Sequence, residues 1–181
     1  MKKRVVILGG GFVGTSVATK LAKRRRDIEI ILISQQETFS FSPLLIDVLA
    51  QEIPAKASCL SLSQLSVRHH FTFLQGDIVE LNRTTREVRF RNTIGEEQTV
   101  SYDYVVLATG SKVNYYNIPG AVDFCLPLKT EQDIQHIWQT TNKKIIEKQG
   151  SISIAIIGGG PTGIESLYAM KEYLRKQNID Q

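Results

Sequence analysis

The chain has 181 residues, which is enough for one full domain and part of a second. Hydrophobic residues make up 42% of it and charged residues 22%, values that are typical of a globular protein and exclude a disordered one. The net charge of +4 is too small to indicate nucleic acid as a partner.

Several other classes are excluded by local features. No segment approaches the roughly 18 apolar residues that a membrane span needs. The basic start at Met1–Arg4 is followed by an apolar run that is too short for a signal peptide. Cys59 and Cys125 form no CxxC pair, so neither a redox dithiol nor a zinc site is predicted, and a reduced, cytoplasmic setting fits. The adjacent His69 and His70 are expected to face opposite sides of a strand, so we expect no metal site.

The first predicted strand, 4–8, is an apolar run that leads directly into Gly9-x-Gly11-x-x-Gly14, and a helix over 12–24 follows. In dinucleotide-binding folds the first glycine permits the turn, the second leaves room for a pyrophosphate, and the third lets the helix pack close to the strand. Free N–H groups at the helix start and the positive end of its dipole favour phosphate. The pattern therefore predicts a dinucleotide site, and the alternative is a βα turn whose glycines serve packing alone.

The second predicted strand, 28–33, is followed by Ser34. Many dinucleotide folds have Asp or Glu at this position, where the carboxylate binds a ribose hydroxyl. Ser34 can make one hydrogen bond but supplies no carboxylate, so this contact is weaker or is made elsewhere. Short helices are then predicted over 43–50, which begins with a proline, and over 58–68.

Three strands over 71–81, 86–92 and 97–102 follow, with Gly95 in the turn between the last two. They predict a β-meander inserted between parallel strands.

The next predicted strand, 104–111, is buried and ends in small residues. Because ligands of open α/β sheets bind at the carboxyl ends of strands, small residues there let a ligand touch the backbone. These residues are Ala108, Thr109 and Gly110. A loop over 112–128 and a helix over 129–148 follow.

A second glycine motif, Gly158-x-Gly160-x-x-Gly163, follows a predicted buried strand over 152–157 and precedes a helix from Thr162 to about residue 175. Two such motifs in the same context indicate two dinucleotides, one for each Rossmann-like unit. The second unit has one strand and one helix, whereas a mononucleotide-binding half needs βαβαβ. The sequence therefore looks cut within a domain.

Together these segments resemble the FAD/NAD(P) oxidoreductases that bind two dinucleotides, and among them most closely type II NADH dehydrogenase, the single-subunit NADH:quinone oxidoreductase. The matching segments are Val5–Gly14, Phe39–Leu45, Gly76–Leu81, Tyr102–Ser111, Ile118–Gly120, Leu128–Thr130 and Ile156–Glu165. The resemblance implies an α/β fold. Its parts would be a Rossmann-like FAD-binding domain over 1–128 with an inserted β-meander, a connecting helix over 129–150, and the start of a second Rossmann-like NAD(H)-binding domain over 151–181.

The resemblance also implies roles for individual residues. The implied FAD contacts are Gly9, Gly11, Phe12 and Gly14 at the pyrophosphate, Ser34 at the ribose, Pro43 and Leu44 near the flavin ring, Asp77 and Ile78 at the adenine, and Ala108, Thr109 and Gly110 at a strand end. The implied NADH loop is Gly158, Gly160, Pro161, Thr162 and Gly163. Glu165 matches a catalytic acid near the nicotinamide, although a glutamate in the first turn of a helix also complements the helix dipole.

The implied activity is hydride transfer from NADH to FAD and then to a quinone, here in an incomplete N-terminal part. In this family a later Gly-Asp segment closes over the flavin, and a C-terminal amphipathic region attaches to the membrane. We therefore expect weak or no FAD retention and no turnover by these 181 residues. We expect a cytoplasmic location, with peripheral association at the inner face of the plasma membrane for the complete protein. The choice between NADH and NADPH, the quinone and the oligomeric state stay open.

Three alternatives stay open as well: a free-standing FAD-binding module without turnover, a non-flavin NAD-binding Rossmann protein, and a flavoenzyme like sulfide:quinone oxidoreductase. The last class needs redox cysteines. Cys125 lies a few residues before one such position, while the Leu128–Thr130 run favours the NADH dehydrogenase. Disulfide reductases with an N-terminal CxxxxC motif are excluded, because that pair is absent from this sequence.

Overall fold

The computed structural model describes residues 2–24, 27–147 and 152–178. The strands are β1 Lys3–Leu8, β2 Ile28–Ser34, β3 Thr38–Ser40, β4 Cys59–Ser61, β5 Thr72–Asn82, β6 Glu87–Asn92, β7 Glu97–Ser101 and β8 Tyr104–Leu107. The helices are α1 Phe12–Arg24, α2 Leu45–Leu49, α3 Leu62–His69, α4 Ala121–Phe124, α5 Glu131–Glu147 and α6 Pro161–Lys176, and short 3₁₀ turns cover Ser42–Leu44 and Ala55–Ser58.

The chain divides into two compact units. The first unit contains Met1–Phe39 and Cys59–Ser111, and the second contains Ser40–Ser58 and Lys112–Gln181. The predicted boundaries at residues 128 and 150 concern which cofactor each part binds, and a division by compactness does not test them.

The first unit contains a six-stranded sheet in the order β7-β6-β5-β2-β1-β8. The strands β5, β2, β1 and β8 run parallel, while β5, β6 and β7 form an antiparallel meander. The uninterrupted apolar runs of β1 and β2 explain their central place, because only a strand that is covered on both faces buries every side chain. Val6, Ile7, Leu32 and Ile33 are fully buried. The prediction of an α/β fold with an inserted β-meander is confirmed.

The second unit has a helical core built from α2, α5 and α6. Its buried residues are Leu45, Val48, Leu49, Ala50, Ile134, Ala169, Met170 and Tyr173. Trp138 of α5 stacks on Tyr173 of α6 with 5.9 Å between ring centroids, and its indole N–H donates to the carbonyl of Leu49 over 3.1 Å. Lys176 donates to the carbonyls of Ala50 and Gln51 at the end of α2, which satisfies acceptors that the helix leaves unpaired.

The helix predicted over 58–68 is wrong at residues 58–61. Residues 59–61 form the short strand β4, and helix α3 starts only at Leu62, after Ser61 caps it by accepting a hydrogen bond from the backbone N–H of Gln64. The strand predicted for the histidines is wrong as well. His69 ends α3, and His70 takes a left-handed conformation with φ +58°, which is a common way for a helix to end.

The strands predicted over 104–111 and 152–157 differ from those that the structure shows. The strand predicted over 104–111 stops at Leu107, and it lies at the sheet edge with Tyr104 and Leu107 largely exposed. The buried strand predicted over 152–157 is absent from the described residues, which there form no strand and leave Ile157 exposed. A strand needs a neighbour for its backbone hydrogen bonds, and the described residues offer none to this segment. The loop predicted over 112–128 also contains the short helix α4.

Candidate functional site

The first glycine loop lies where three parallel strands end. Leu8, the last residue of β1, pairs with Ile33 of β2 on one side and with Leu107 of β8 on the other. The backbone N–H of Gly9 donates to the carbonyl of Ile33, and that of Ala108 donates to the carbonyl of Leu8, each over 2.8 Å. The loop, Ser34 and the segment after β8 therefore share the carboxyl edge of the sheet, where open α/β sheets bind ligands.

The backbone geometry requires glycine at two positions of this loop. Gly9 has φ +106°, and a Cβ on it would overlap the carbonyl oxygen of Ala108. A Cβ on Gly14 would overlap the carbonyl oxygen of Gly9, so only glycine lets α1 start this close to β1. Both requirements come from packing within the protein, as the spacing of the motif predicts.

Gly11 is different, because no atom of the described protein lies within 4 Å of a Cβ built on it. The residue is exposed, so a ligand can reach the backbone at the start of α1. Helix α1 has no acidic residue in its first turn, so no carboxylate there offsets the positive end of the helix dipole. The hydroxyl of the buried residue Thr15 donates to the carbonyl of Gly11 over 2.8 Å, which stabilises the first turn of α1. This open, electropositive turn fits a pyrophosphate.

Sequence reasoning missed Gly10, whose role depends on distant residues. A Cβ on Gly10 would lie 2.8 Å from the Ser34 hydroxyl oxygen and would overlap a methyl group of Leu62. Ser34 ends β2 and is 7% exposed, and Leu62 is the fully buried first residue of α3. The run of three glycines was the available signal, because a spacing of Gly-x-Gly-x-x-Gly needs only two of them.

The other predicted contacts of the first unit lie on neighbouring strands. Gly110 follows β8 with φ +77° and, like Thr109, is exposed. Asp77 and Ile78 lie on β5, just beyond Gln75, the residue that pairs with Ser34. Asp77 is exposed, whereas Ile78 is half-buried and packs on the core cluster that contains Val88 and Phe90 of the meander. Their predicted roles at adenine stay predictions.

The second glycine loop repeats the backbone geometry of the first. Gly158 has φ +120°. A Cβ on Gly163 would overlap the carbonyl oxygen of Gly158, as a Cβ on Gly14 would overlap that of Gly9. Gly160 caps α6 and Pro161 is the first helical residue, a position that suits proline. However, no described atom lies within 4 Å of a Cβ built on Gly158 or Gly160. The second turn is therefore formed, but the described residues do not enclose it as they enclose Gly9 and Gly10.

The remaining predicted residues belong to the second unit. Pro43 and Leu44 lie in the 3₁₀ turn before α2, and Thr162 and Glu165 lie exposed in the first turns of α6. Among the residues that the structure describes, no group of three or more His, Cys, Asp or Glu side chains lies close enough to hold a metal ion. No helix in the described part of the chain is long and apolar enough to cross a membrane. Cys59 and Cys125 form no disulfide bond with each other.

Comparison with known proteins gives a consistent result. Residues 3–177 match the pyridine nucleotide-disulphide oxidoreductase family. An external alternative NAD(P)H-ubiquinone oxidoreductase B1 of Solanum tuberosum mitochondria is 29% identical over 96% of this chain and 33% of its own length. A type II NADH:quinone oxidoreductase of Haemophilus influenzae is 30% identical over 90% of this chain and 44% of its own length.

Among solved structures, NDH2 from Plasmodium falciparum in complex with NADH superposes with a TM-score of 0.81 and 22% identity, over 98% of this chain and 38% of that one. This likeness concerns the fold. The chain spans between a third and a half of the length of these curated relatives.

Proposed function

This chain belongs to the pyridine nucleotide-disulphide oxidoreductase family, and we propose that it is the FAD-binding part of an NADH:quinone oxidoreductase of type II. The observation that carries the proposal is the first glycine loop, which is enclosed at Gly9 and Gly10 and open at Gly11. The names of the two relatives, an NAD(P)H-ubiquinone oxidoreductase and a type II NADH:quinone oxidoreductase, support the activity.

The residues that would hold FAD are assigned by position. The backbone of Gly9–Gly14 would receive the pyrophosphate, the Ser34 hydroxyl would bind a ribose hydroxyl, and Asp77 with Ile78 would contact the adenine. Ala108–Gly110 would contact the cofactor at the end of β8, and Pro43 with Leu44 would lie near the flavin ring. When bound, the flavin supplies the hydride and electron chemistry, and the protein supplies orientation and electrostatics.

The second glycine loop would hold NADH in the complete protein. Gly158, Gly160, Pro161, Thr162 and Gly163 would bind its pyrophosphate, and Glu165 would lie near the nicotinamide. The acceptor would be a quinone, which the names of the relatives support. A cytoplasmic location with peripheral attachment to the inner face of the plasma membrane is part of the same proposal. We expect no NADH:quinone turnover from these 181 residues, because the described residues do not enclose the second loop.

Titration of the purified chain with FAD and, separately, with NAD⁺ tests this proposal. We expect added FAD to bind weakly and saturably, seen as a change in flavin absorbance and fluorescence, and to bind more tightly than NAD⁺. Tighter binding of NAD⁺ than of FAD would instead identify a non-flavin Rossmann protein. NADH:quinone turnover by the chain alone would contradict its assignment as an incomplete part.

A further inference from the structure

Glu37 lies three residues after Ser34, in the connection between β2 and β3, and makes three hydrogen bonds to the start of α3. Its carboxylate oxygen Oε1 accepts from the hydroxyls of Ser61 and Ser63, each over 2.7 Å. Its backbone carbonyl accepts from the N–H of Leu62 over 2.9 Å. These contacts, between Glu37 and residues 61–63, are called the Glu37 cluster below.

The Glu37 cluster contacts the first glycine loop through Leu62. Leu62, which the cluster fixes by its backbone N–H, is fully buried and presses a methyl group into the space where Gly10 would carry a Cβ. Ser34, on the same chain segment as Glu37, fills the other side of that space. The glycine loop is therefore packed against two residues whose positions depend on the connection that Glu37 anchors.

We propose that Glu37 is a positioning residue for dinucleotide binding: by anchoring the start of α3, it holds Leu62 against Gly10 and keeps the amides of residues 9–12 in the arrangement that receives a pyrophosphate. Glu37 does not contact the ligand in this proposal. The identity of the ligand as FAD rests on the proposed function, whereas the packing of the loop does not.

The charge of Glu37 fits this role. The hydroxyls of Ser63 and Ser61 hold the pKa of its carboxyl below the ordinary value, so the group is ionised at neutral pH and accepts from both serines. Many dinucleotide folds place an acid for the ribose at the position that Ser34 occupies here. The carboxylate of Glu37 is the first acidic group that follows Ser34 in the sequence. Two serine hydroxyls donate to its Oε1, which ties the carboxylate of Glu37 to the start of α3.

Amide hydrogen exchange on the ligand-free chain tests the packing directly. We expect E37A to raise the exchange of residues 9–12 about three- to tenfold, because each lost hydrogen bond to a charged group loosens the start of α3. E37Q keeps an acceptor oxygen and should restore most of the protection. S63A should act in the same direction, and the E37A/S63A double variant should add little to E37A, because both changes remove the same bond.

FAD titration of the same variants gives the functional readout, with the dissociation constant expected to rise about three- to tenfold in E37A and to stay near the wild-type value in E37Q. Two controls exclude general destabilisation. Glu80→Ala removes a carboxylate of the meander that pairs with Arg89 over 2.7 Å. Val88→Ala weakens the buried core of the sheet. Neither variant should raise hydrogen exchange at residues 9–12 selectively.

Unchanged exchange at residues 9–12 in E37A, or the same increase in V88A, would overturn the proposal. If the wild-type chain does not bind FAD, the proposed function fails, while the exchange result still decides the role of Glu37.

Discussion

At the scale of single residues, the glycines of the first loop meet two different requirements, close packing within the protein and open space for a ligand. Gly9 and Gly14 are glycines because the protein's own backbone occupies the space of a side chain. Gly11 has free space around it, so the protein itself does not require glycine there. In the proposed function the bound pyrophosphate excludes a side chain at Gly11, and this distinction can be measured.

Gly11→Ala should leave the unfolding free energy within about 1 kcal/mol of wild type and weaken FAD binding at least about tenfold. The first expectation follows because the added methyl group meets no protein atom, and the second because it occupies the path of the pyrophosphate. Urea unfolding followed by circular dichroism measures the first quantity, and flavin titration the second. Gly160→Ala is the matched control, since Gly160 is equally open but lies in the second loop, and it should change neither quantity. Unaltered FAD affinity in G11A would contradict the assignment of this loop to the pyrophosphate.

Asp103 gives a pH-dependent prediction at the start of β8. Its carboxylate accepts from the backbone N–H of Arg4 over 2.8 Å and from the Lys3 ammonium over 2.9 Å. These contacts, the bond from Arg4 first, hold the pKa of the Asp103 carboxyl below its ordinary value. A group with a lowered pKa in the folded state stabilises the fold above its unfolded pKa, and this contribution is lost as the pH falls through the folded pKa.

We therefore expect wild type to unfold at higher urea concentration than Asp103→Asn at pH 7, and the difference to shrink below about pH 4. Urea titrations at pH 7, 5 and 3 measure it. Asp123→Asn, which removes an exposed carboxylate of helix α4, is the comparison and should unfold at about the same urea concentration as wild type at pH 7. A difference between wild type and D103N that is the same at all three pH values would show that the charge of Asp103 does not act through these contacts.

At the scale of elements, the sequence predicted those strands and helices that are determined by residues close together in the chain. It did not predict features that require contact with residues far away in the sequence. The strands β1 and β2 and helix α1 could be predicted because apolar runs and glycine spacing are local signals. The 152–157 segment carries the same signal, yet it forms no strand among the described residues, because a strand also needs a partner. The packing of Leu62 on Gly10 was likewise unpredictable, because nothing near either residue indicates that α3 lies beside the loop.

The helical core of the second unit depends on Tyr173 of α6. This residue is 1% exposed, stacks on Trp138 and donates its hydroxyl to the side-chain oxygen of Asn142 over 2.7 Å. Burial raises the pKa of the Tyr173 hydroxyl, so it keeps the proton that it donates. The ring should contribute more to stability than the hydroxyl, because Asn142 is exposed and can turn to water when the hydroxyl is removed.

Tyr173→Ala should lower the unfolding free energy by about 3–5 kcal/mol, whereas Tyr173→Phe should cost only about 1 kcal/mol. Urea unfolding followed by tryptophan fluorescence measures both, because Trp138 is the one tryptophan of the sequence and lies in this core. Tyr168→Ala on the same helix is the matched control, since Tyr168 is 65% exposed and should change stability by less than about 0.5 kcal/mol. A cost of Y173F equal to that of Y173A would show that the hydrogen bond dominates instead.

At the scale of the whole molecule, two copies of one motif fold into the same turn in different surroundings. The positive φ at the first glycine and the close approach of the third are repeated at Gly158 and Gly163, so the local sequence is enough to set the turn. Enclosure is not repeated. Gly9 donates to Ile33 and packs on Ala108, whereas the described residues leave Gly158 uncovered. How firmly the turn is held therefore depends on the sheet around a loop as well as on the loop itself.

The position-matched pair Gly14→Ala and Gly163→Ala tests this dependence. Both new methyl groups would overlap the carbonyl oxygen of the first glycine of their loop, so the local clash is the same. In the first loop the carbonyl is fixed by the sheet, and we expect G14A to lower the unfolding free energy by about 2 kcal/mol or more. The helix preference for alanine over glycine, worth about 1 kcal/mol, favours both variants equally. In the second loop the uncovered turn can also move aside, so the cost of G163A should stay below about 1 kcal/mol. Urea unfolding of both variants by circular dichroism measures the difference. Equal losses of unfolding free energy would mean that the second turn is held as firmly as the first. The difference in packing around the two loops would then not affect stability.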